Sequence, residues 1–329
     1  MKNKDRLMLL FSVLFLVFVV LIFINGVKIE TPTVEQETTV ESRIDNRQSI
    51  TFILGEDHGN ENNFYQNAEA YFKYNPNERS DEIITDARSL NEMIALLNEN
   101  FLKSATPYND IHVVVHSNPW AGISLPLNEG EERLNADRLN DAIANLQVTD
   151  LNPQLADENT QVHIHACGLG QNRALLDALR RSMNGLNIVA SDGYVNFKAE
   201  NERYIKSEME VYYAFFPTAY KPADLHLARQ LAKRYPNTDK DWMKAMEHYS
   251  YQYNIPVEWE IQYPEYDVPE LADDVDKMEW LMNQDELMNI VEKTEIPFDN
   301  FRWIVKKTRD SVKVYGKVTV LCVLEEMKV

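Results

Sequence analysis

The 329-residue sequence holds only two cysteines, Cys167 and Cys322, too few for a disulfide framework or a cysteine-based zinc site. It also lacks any Lys/Arg-rich block: 52 acidic residues oppose 33 basic ones, for a formal charge of −19. That balance argues against nucleic acid as a partner, because phosphate binding needs clustered positive charge, which this surface would have to build against its own field. No internal repeat and no glycine-rich phosphate loop is present, and Gly168-Leu169-Gly170 lacks the third glycine and acidic partner of a dinucleotide site. No cofactor is implied. What is there, with 44% hydrophobic residues, suffices for one large α/β domain or two modest ones.

Long apolar runs are missing everywhere except at the start. Leu7 to Ile24 is a run of 18 residues with Ser12 as its single polar side chain, enough to reach across most of a hydrocarbon core of roughly 30 Å. Lys2, Lys4 and Arg6 precede it with only Asp5 opposing, so the positive-inside rule keeps the amino terminus cytoplasmic and sends the residues after Asn25 to the other side. Phe23-Ile24-Asn25-Gly26-Val27 offers no Ala-x-Ala cleavage pattern, which favours an uncleaved single-pass anchor over a signal peptide. Residues 1–28 therefore read as cytoplasmic stub and transmembrane anchor, and residues 29–48, Glu/Thr-rich around Thr31-Pro32-Thr33, as a tether. The acidic remainder is repelled by anionic lipid, so the membrane contact is expected to be that helix alone.

From Ser49 short apolar runs alternate with helical patterns, the signature of an α/β fold with a doubly wound, mostly parallel sheet. The pattern predicts strands at Ile50–Leu54, Glu82–Thr85, Ile111–His116, Val162–Cys167 and Leu186–Ser191. Helices are predicted at Phe64–Tyr74, Leu90–Lys103, Asn135–Gln147 and Arg173–Met183. After Glu208 the pattern changes to a strand at Met209–Phe216, helices at Ala223–Arg234 and Asp241–Tyr253, a strand at Val257–Tyr263, a long acidic helix from Pro269 to Glu292, and a closing hairpin of Arg302–Lys307 and Val312–Leu324. The economical division is an α/β domain at 49–219 and a smaller α+β unit at 220–329.

In doubly wound sheets the chemistry sits at the carboxyl ends of the strands. Here Ile111-His112-Val113-Val114-Val115-His116-Ser117 ends in a histidine, and Val162-His163-Ile164-His165-Ala166-Cys167-Gly168 ends in a cysteine. An imidazole that takes a thiol's proton makes it a nucleophile. The small residues Ala166, Gly168 and Gly170 would let a substrate backbone approach, and the amides of Ser117 and Cys167 would serve a developing oxyanion.

An apolar strand ending in His116 and another ending in Ala166-Cys167, 51 positions later, resemble the caspase-like cysteine peptidases, the group of caspases, metacaspases, gingipains and legumains. The likeness covers roughly residues 49–216 and includes the Gly55-Glu56-Asp57 turn. Ser117 stands where the family has glycine, and Leu169 separates Gly168 from Gly170 where a caspase has Gln-Ala-Cys-Arg-Gly. The resemblance implies hydrolysis of a peptide or protein substrate through a thioester, with Cys167 as nucleophile and His116 protonating the leaving amine. Several such families cleave after Arg or Lys with carboxylates in the pocket, which points to Asp57 and Asp192 as substrate-binding residues. Caps on the following turn or helix are the competing role for both. Arg173 reads as part of a solvated helix face.

Two rival functions use the same residues. His112 with His116, and His163 with His165, share strand faces and would assemble a four-imidazole metal site on neighbouring strands. Alternatively the domain is a non-catalytic binding scaffold, as the missing glycine after His116 suggests. Cys167 and Cys322 also invite buried packing roles or a mutual disulfide; His58 and His248 read as solvated.

Overall fold

A computed structural model describes residues 47–57, 63–248 and 251–326. The apolar run Leu7–Ile24, the tether before Arg47 and His58 lie outside them. The described residues belong to one compact unit beginning at Asn46, and no helix among them is long and apolar enough to cross a membrane.

The chain runs β1 (Gln48–Ile53), α1 (Phe64–Tyr74), β2 (Glu82–Ile84), α2 (Leu90–Ser104), β3 (Tyr108–Val114), a small sheet of β4 (Ser117–Asn118), β5 (Gly122–Pro126) and β6 (Arg133–Leu134), α3 (Ala136–Ala144), β7 (Gln161–His165), α4 (Arg173–Ser182) and β8 (Asn187–Ala190). The central sheet has the order β2-β1-β3-β7-β8 with every pair parallel. The five expected strands and four expected helices all form, with ends shifted by a few residues. Sequence alternation explains how the sheet is covered. Ile50, Phe52 and Leu54, Ile111, Val113 and Val115, and Val162, Ile164 and Ala166 enter one large core with α2, α3 and α4. The alternate residues Ile53 and Val114 face the opposite side, where α1 supplies Phe64, Tyr65, Ala68, Tyr71 and Phe72. The start of α2 shows the local logic. Ser89 Oγ accepts the Glu92 amide at 3.2 Å and the Glu92 carboxylate accepts the Arg88 amide at 2.7 Å, a reciprocal cap.

A second, antiparallel sheet follows. β9 (Tyr194–Glu200) and β10 (Arg203–Phe216) form a hairpin, and after α5 (Asp224–Arg234) and α6 (Trp242–Glu247) come β11 (Gln252–Pro264), α7 (Asp274–Met282), α8 (Asp285–Thr294), β12 (Arg302–Lys307) and β13 (Ser311–Glu326). β13 carries β11 along one edge; along the other lie β12, opposite Val312–Lys317, and β10, opposite Thr319–Glu326.

This pairing corrects the division at residue 219. β10 is joined to β13 by main-chain ladder bonds, and Tyr212, Ala214 and Phe216 share a core with α5, α6 and β13, so residues 220–329 do not stand apart. The predicted strand at Met209–Phe216 is the second half of a 14-residue β10 whose first half pairs with β9, a strand absent from the prediction. The helix expected to reach Tyr253 stops at Glu247. The long acidic helix is broken at Asn283-Gln284, where both side-chain amides donate back to carbonyls of the preceding turn, Glu279 at 2.9 Å and Trp280 at 2.8 Å; such local bonds compete with helix continuation.

Phe72 is fully buried beneath the central sheet, against Tyr71, His112, His165 and Phe197. Phe72→Ala is expected to cost about 3–5 kcal/mol in urea unfolding. A loss under 1 kcal/mol would show that α1 does not seal this face.

Candidate functional site

The strand order reverses between β1 and β3, and the crevice at such a reversal is where open α/β sheets bind ligands. Its walls come from the residues just past the strands. Gly55 has no room for a side chain: a Cβ there would fall 2.2 Å from the Tyr65 ring. The first turn of α1 therefore lies over the end of β1 and reaches His116. The Tyr65 hydroxyl accepts the His116 backbone N–H at 3.1 Å, the Phe64 ring stacks on the imidazole with centroids 4.7 Å apart, and the Tyr65 ring meets it edge-on at 4.8 Å. Asp57 fixes this turn. Its carboxylate accepts the Tyr65 amide at 3.0 Å and the Gln66 amide at 2.9 Å, so both oxygens cap α1 and the competing role weighed for it is the one the structure shows.

The ends of β3 and β7 are tied together. Ser117 Oγ donates to the Cys167 carbonyl at 2.6 Å and the Val115 amide donates to the His165 carbonyl at 3.3 Å. Ser117 thus uses its hydroxyl for a structural bond that glycine cannot make. The Cys167 thiol, however, is buried and donates to the Val195 carbonyl of β9 at 3.5 Å. Burial pushes it up to about 12, so the thiol stays protonated at neutral pH. Cys322 is also a buried free thiol, opposite Tyr213 and Tyr253 in its sheet, so the two cysteines form no disulfide.

The glycines after Cys167 serve packing, which corrects their reading as room for substrate. Gly168, at φ +64°, donates its amide to the Gly193 carbonyl at 2.7 Å, and Gly170 donates to the Ser191 carbonyl at 2.9 Å. A Cβ on Gly170 would fall 2.3 Å from Asp192 Oδ1. Asp192 is exposed and stands 3.8 Å from the Arg173 guanidinium, so a cation already attends it.

The other histidines of β3 and β7 share one face of the sheet, where α1 packs. His112 Nδ1 and His165 Nε2 are 3.1 Å apart, His163 Nε2 is 3.1 Å from Asp110 Oδ1, and Phe72 covers the first two rings. Glu78 and Lys206, paired at 2.7 Å, are the other charges acting on His112. Burial, followed by the neighbouring His163, lowers His112 to about 4, and burial lowers His165 well below the usual imidazole range. Two neutral imidazoles donating one to the other satisfy this contact. One nitrogen of each is spent on the other, and among the described residues no group of three His, Cys, Asp or Glu is placed to hold a metal ion. The four-imidazole reading of His112, His116, His163 and His165 is overturned accordingly.

Comparison with family models, curated proteins and solved structures gave no match. Sequence reasoning missed one residue at the crevice, Tyr65, which looked like one more apolar position of a helix.

The buried imidazoles set a pH dependence. Between pH 6.5 and 4 the unfolded chain binds protons at His112 that the folded one excludes, so stability rises with pH through this window and is lost as pH falls. Urea unfolding between pH 7 and pH 4 should show a loss of up to about 3 kcal/mol from His112, with His165 acting in the same direction, and His112→Gln should flatten the profile. An identical slope in His112→Gln would contradict this.

Proposed function

We propose that the chain is a membrane-anchored, caspase-like cysteine endopeptidase in a resting conformation, its domain outside the cytoplasm. The observation that carries the reading is the bond between Ser117 Oγ and the Cys167 carbonyl, which puts the residues after His116 against the strand end that bears the thiol. Hydrolysis requires the thiol to leave the Val195 carbonyl and give up its proton to His116. The thiolate then attacks the peptide carbonyl carbon, the imidazolium protonates the leaving amine, and water hydrolyses the thioester to release the acid and restore the thiol. Ordering of a peptide across the crevice supplies the binding energy for that release. With Asp57 spent on capping and Asp192 beside Arg173, neither residue supports a preference for Arg or Lys.

A second reading has a specific observation in its favour. A thiol buried at about 12 is what a non-catalytic peptide-binding domain of this architecture would carry. One experiment separates the two. A panel of peptidyl acyloxymethyl ketones should label the wild-type protein covalently and leave Cys167→Ala unlabelled, and a membrane-impermeant version should label it on intact cells. Absence of labelling across the panel would sink the endopeptidase and leave the binding domain. Failure of the impermeant probe alone would refute the proposed topology.

A further inference from the structure

In the second sheet β12 is bonded along one edge only. Its ladder partner is β13, and the hairpin between them closes with the Thr308 amide donating to the Ser311 carbonyl at 2.8 Å. Along an antiparallel pair, residues that bond to the partner alternate with residues that turn away from it. Counting back from Thr308, Lys306, Ile304 and Arg302 bond to β13, while Lys307, Val305 and Trp303 turn their N–H and C=O groups outward. Among the described residues no strand, loop or side chain meets those outward groups. Such a row is a template for a further strand.

Both faces beside this edge carry a feature that a further strand would use. On the face that bears the sheet's core, a cavity of about 700 Å³ is walled by Val268, Leu271, Val305 and Val312, and Val305 and Lys307 belong both to the cavity and to the outward row. On the opposite face Arg302 and Lys306 are exposed on either side of the half-buried Ile304. Lys313 and Lys317 of β13 are paired with Glu260 and Glu258 of β11, and Lys307 with Glu265. Among the described residues no carboxylate lies within ion-pair distance of Arg302 or Lys306, and Lys306 rests over the Tyr315 ring at 5.1 Å from its centroid. Edge lysines also serve to discourage pairing between edges. That role needs neither a cavity beside the strand nor an apolar side chain between the cations.

We propose that β12 accepts an extended acidic segment of a partner protein as an added strand. The outward groups of Trp303, Val305 and Lys307 would supply the main-chain bonds. Side chains of an added strand alternate between the faces, so apolar ones would enter the cavity and acidic ones would meet Arg302 and Lys306. A second copy paired edge to edge would set these cations against their own counterparts, which is unfavourable. A lipid surface would use neither the main-chain groups nor the cavity. The site is on the second sheet and does not rest on the reading of Cys167.

The test is fluorescence anisotropy of labelled hexapeptides titrated with the full-length protein. The probes are Glu-Val-Glu-Val-Glu-Val, its neutral counterpart Gln-Val-Gln-Val-Gln-Val, and the acidic peptide N-methylated at every amide, which keeps the charges and loses the main-chain donors. The acidic peptide should bind at least tenfold more tightly than either of the others. The double variant Arg302→Gln with Lys306→Gln should weaken it at least tenfold. Val305→Pro, which removes an outward N–H and leaves the bonds to β13 in place, should do the same, whereas Lys103→Gln, at an exposed lysine paired with Glu99, should change nothing. Equal binding of the acidic and neutral peptides, or undiminished binding of the N-methylated one, would overturn the proposal. If Val305→Pro does not fold, the N-methylated peptide still decides, because it leaves the protein unaltered. A concentration-dependent dimer, or binding to phosphatidylglycerol vesicles, with no peptide bound would assign the edge to a second copy or to lipid and overturn it as well.

Discussion

Successive side chains of a strand point to opposite faces, and along β3 and β7 this sorts the sequence into two sets. Ile111, Val113, Val115, Val162, Ile164 and Ala166 enter the large core. The other parity carries His112, His116, His163, His165 and Cys167, a row of polar and reactive groups that has to be accommodated under α1. A one-residue slip of either strand would exchange the sets, so the register of the sheet and the chemistry of the crevice are a single constraint. His112 and His165 meet it by bonding to each other and His163 by bonding to Asp110, and Phe72 lies over the first two, whose burial disfavours their charged form.

The same cover explains why the thiol is buried. α1 and β9 share that face of the sheet, and Cys167, at the end of its row, meets the Val195 carbonyl instead of solvent. The imidazole of His116 is held between Phe64 and Tyr65 of α1, whose first turn is fixed by Asp57. The position of the His116 ring thus depends on one helix and its cap. A movement of that helix reaches His116 directly, through Phe64 and Tyr65.

Much of this was legible in the sequence because it rests on local periodicity. The five parallel strands, helix α1 to the residue, and the meeting of the His116 and Cys167 strand ends all follow from alternation and apolar spacing. The burial of the thiol did not, since that depends on β9, a strand at the end of its sheet and marked by no long apolar run. Asp57 was weighed as a ligand or a cap, and only the path of α1 over Gly55 decides between them. The split at residue 219 missed the pairing of β10 with β13, because pairing across a hundred residues leaves no trace in local pattern.

The most direct test of the account is the reactivity of Cys167 in the ligand-free protein, measured as the rate of iodoacetamide modification against pH in a Cys322→Ala background. The account predicts a native-state rate at pH 7 at least a hundredfold below that of the urea-unfolded chain, rising only toward the raised thiol value of about 12. A native thiol that reacts at pH 7 as fast as the unfolded one would contradict it.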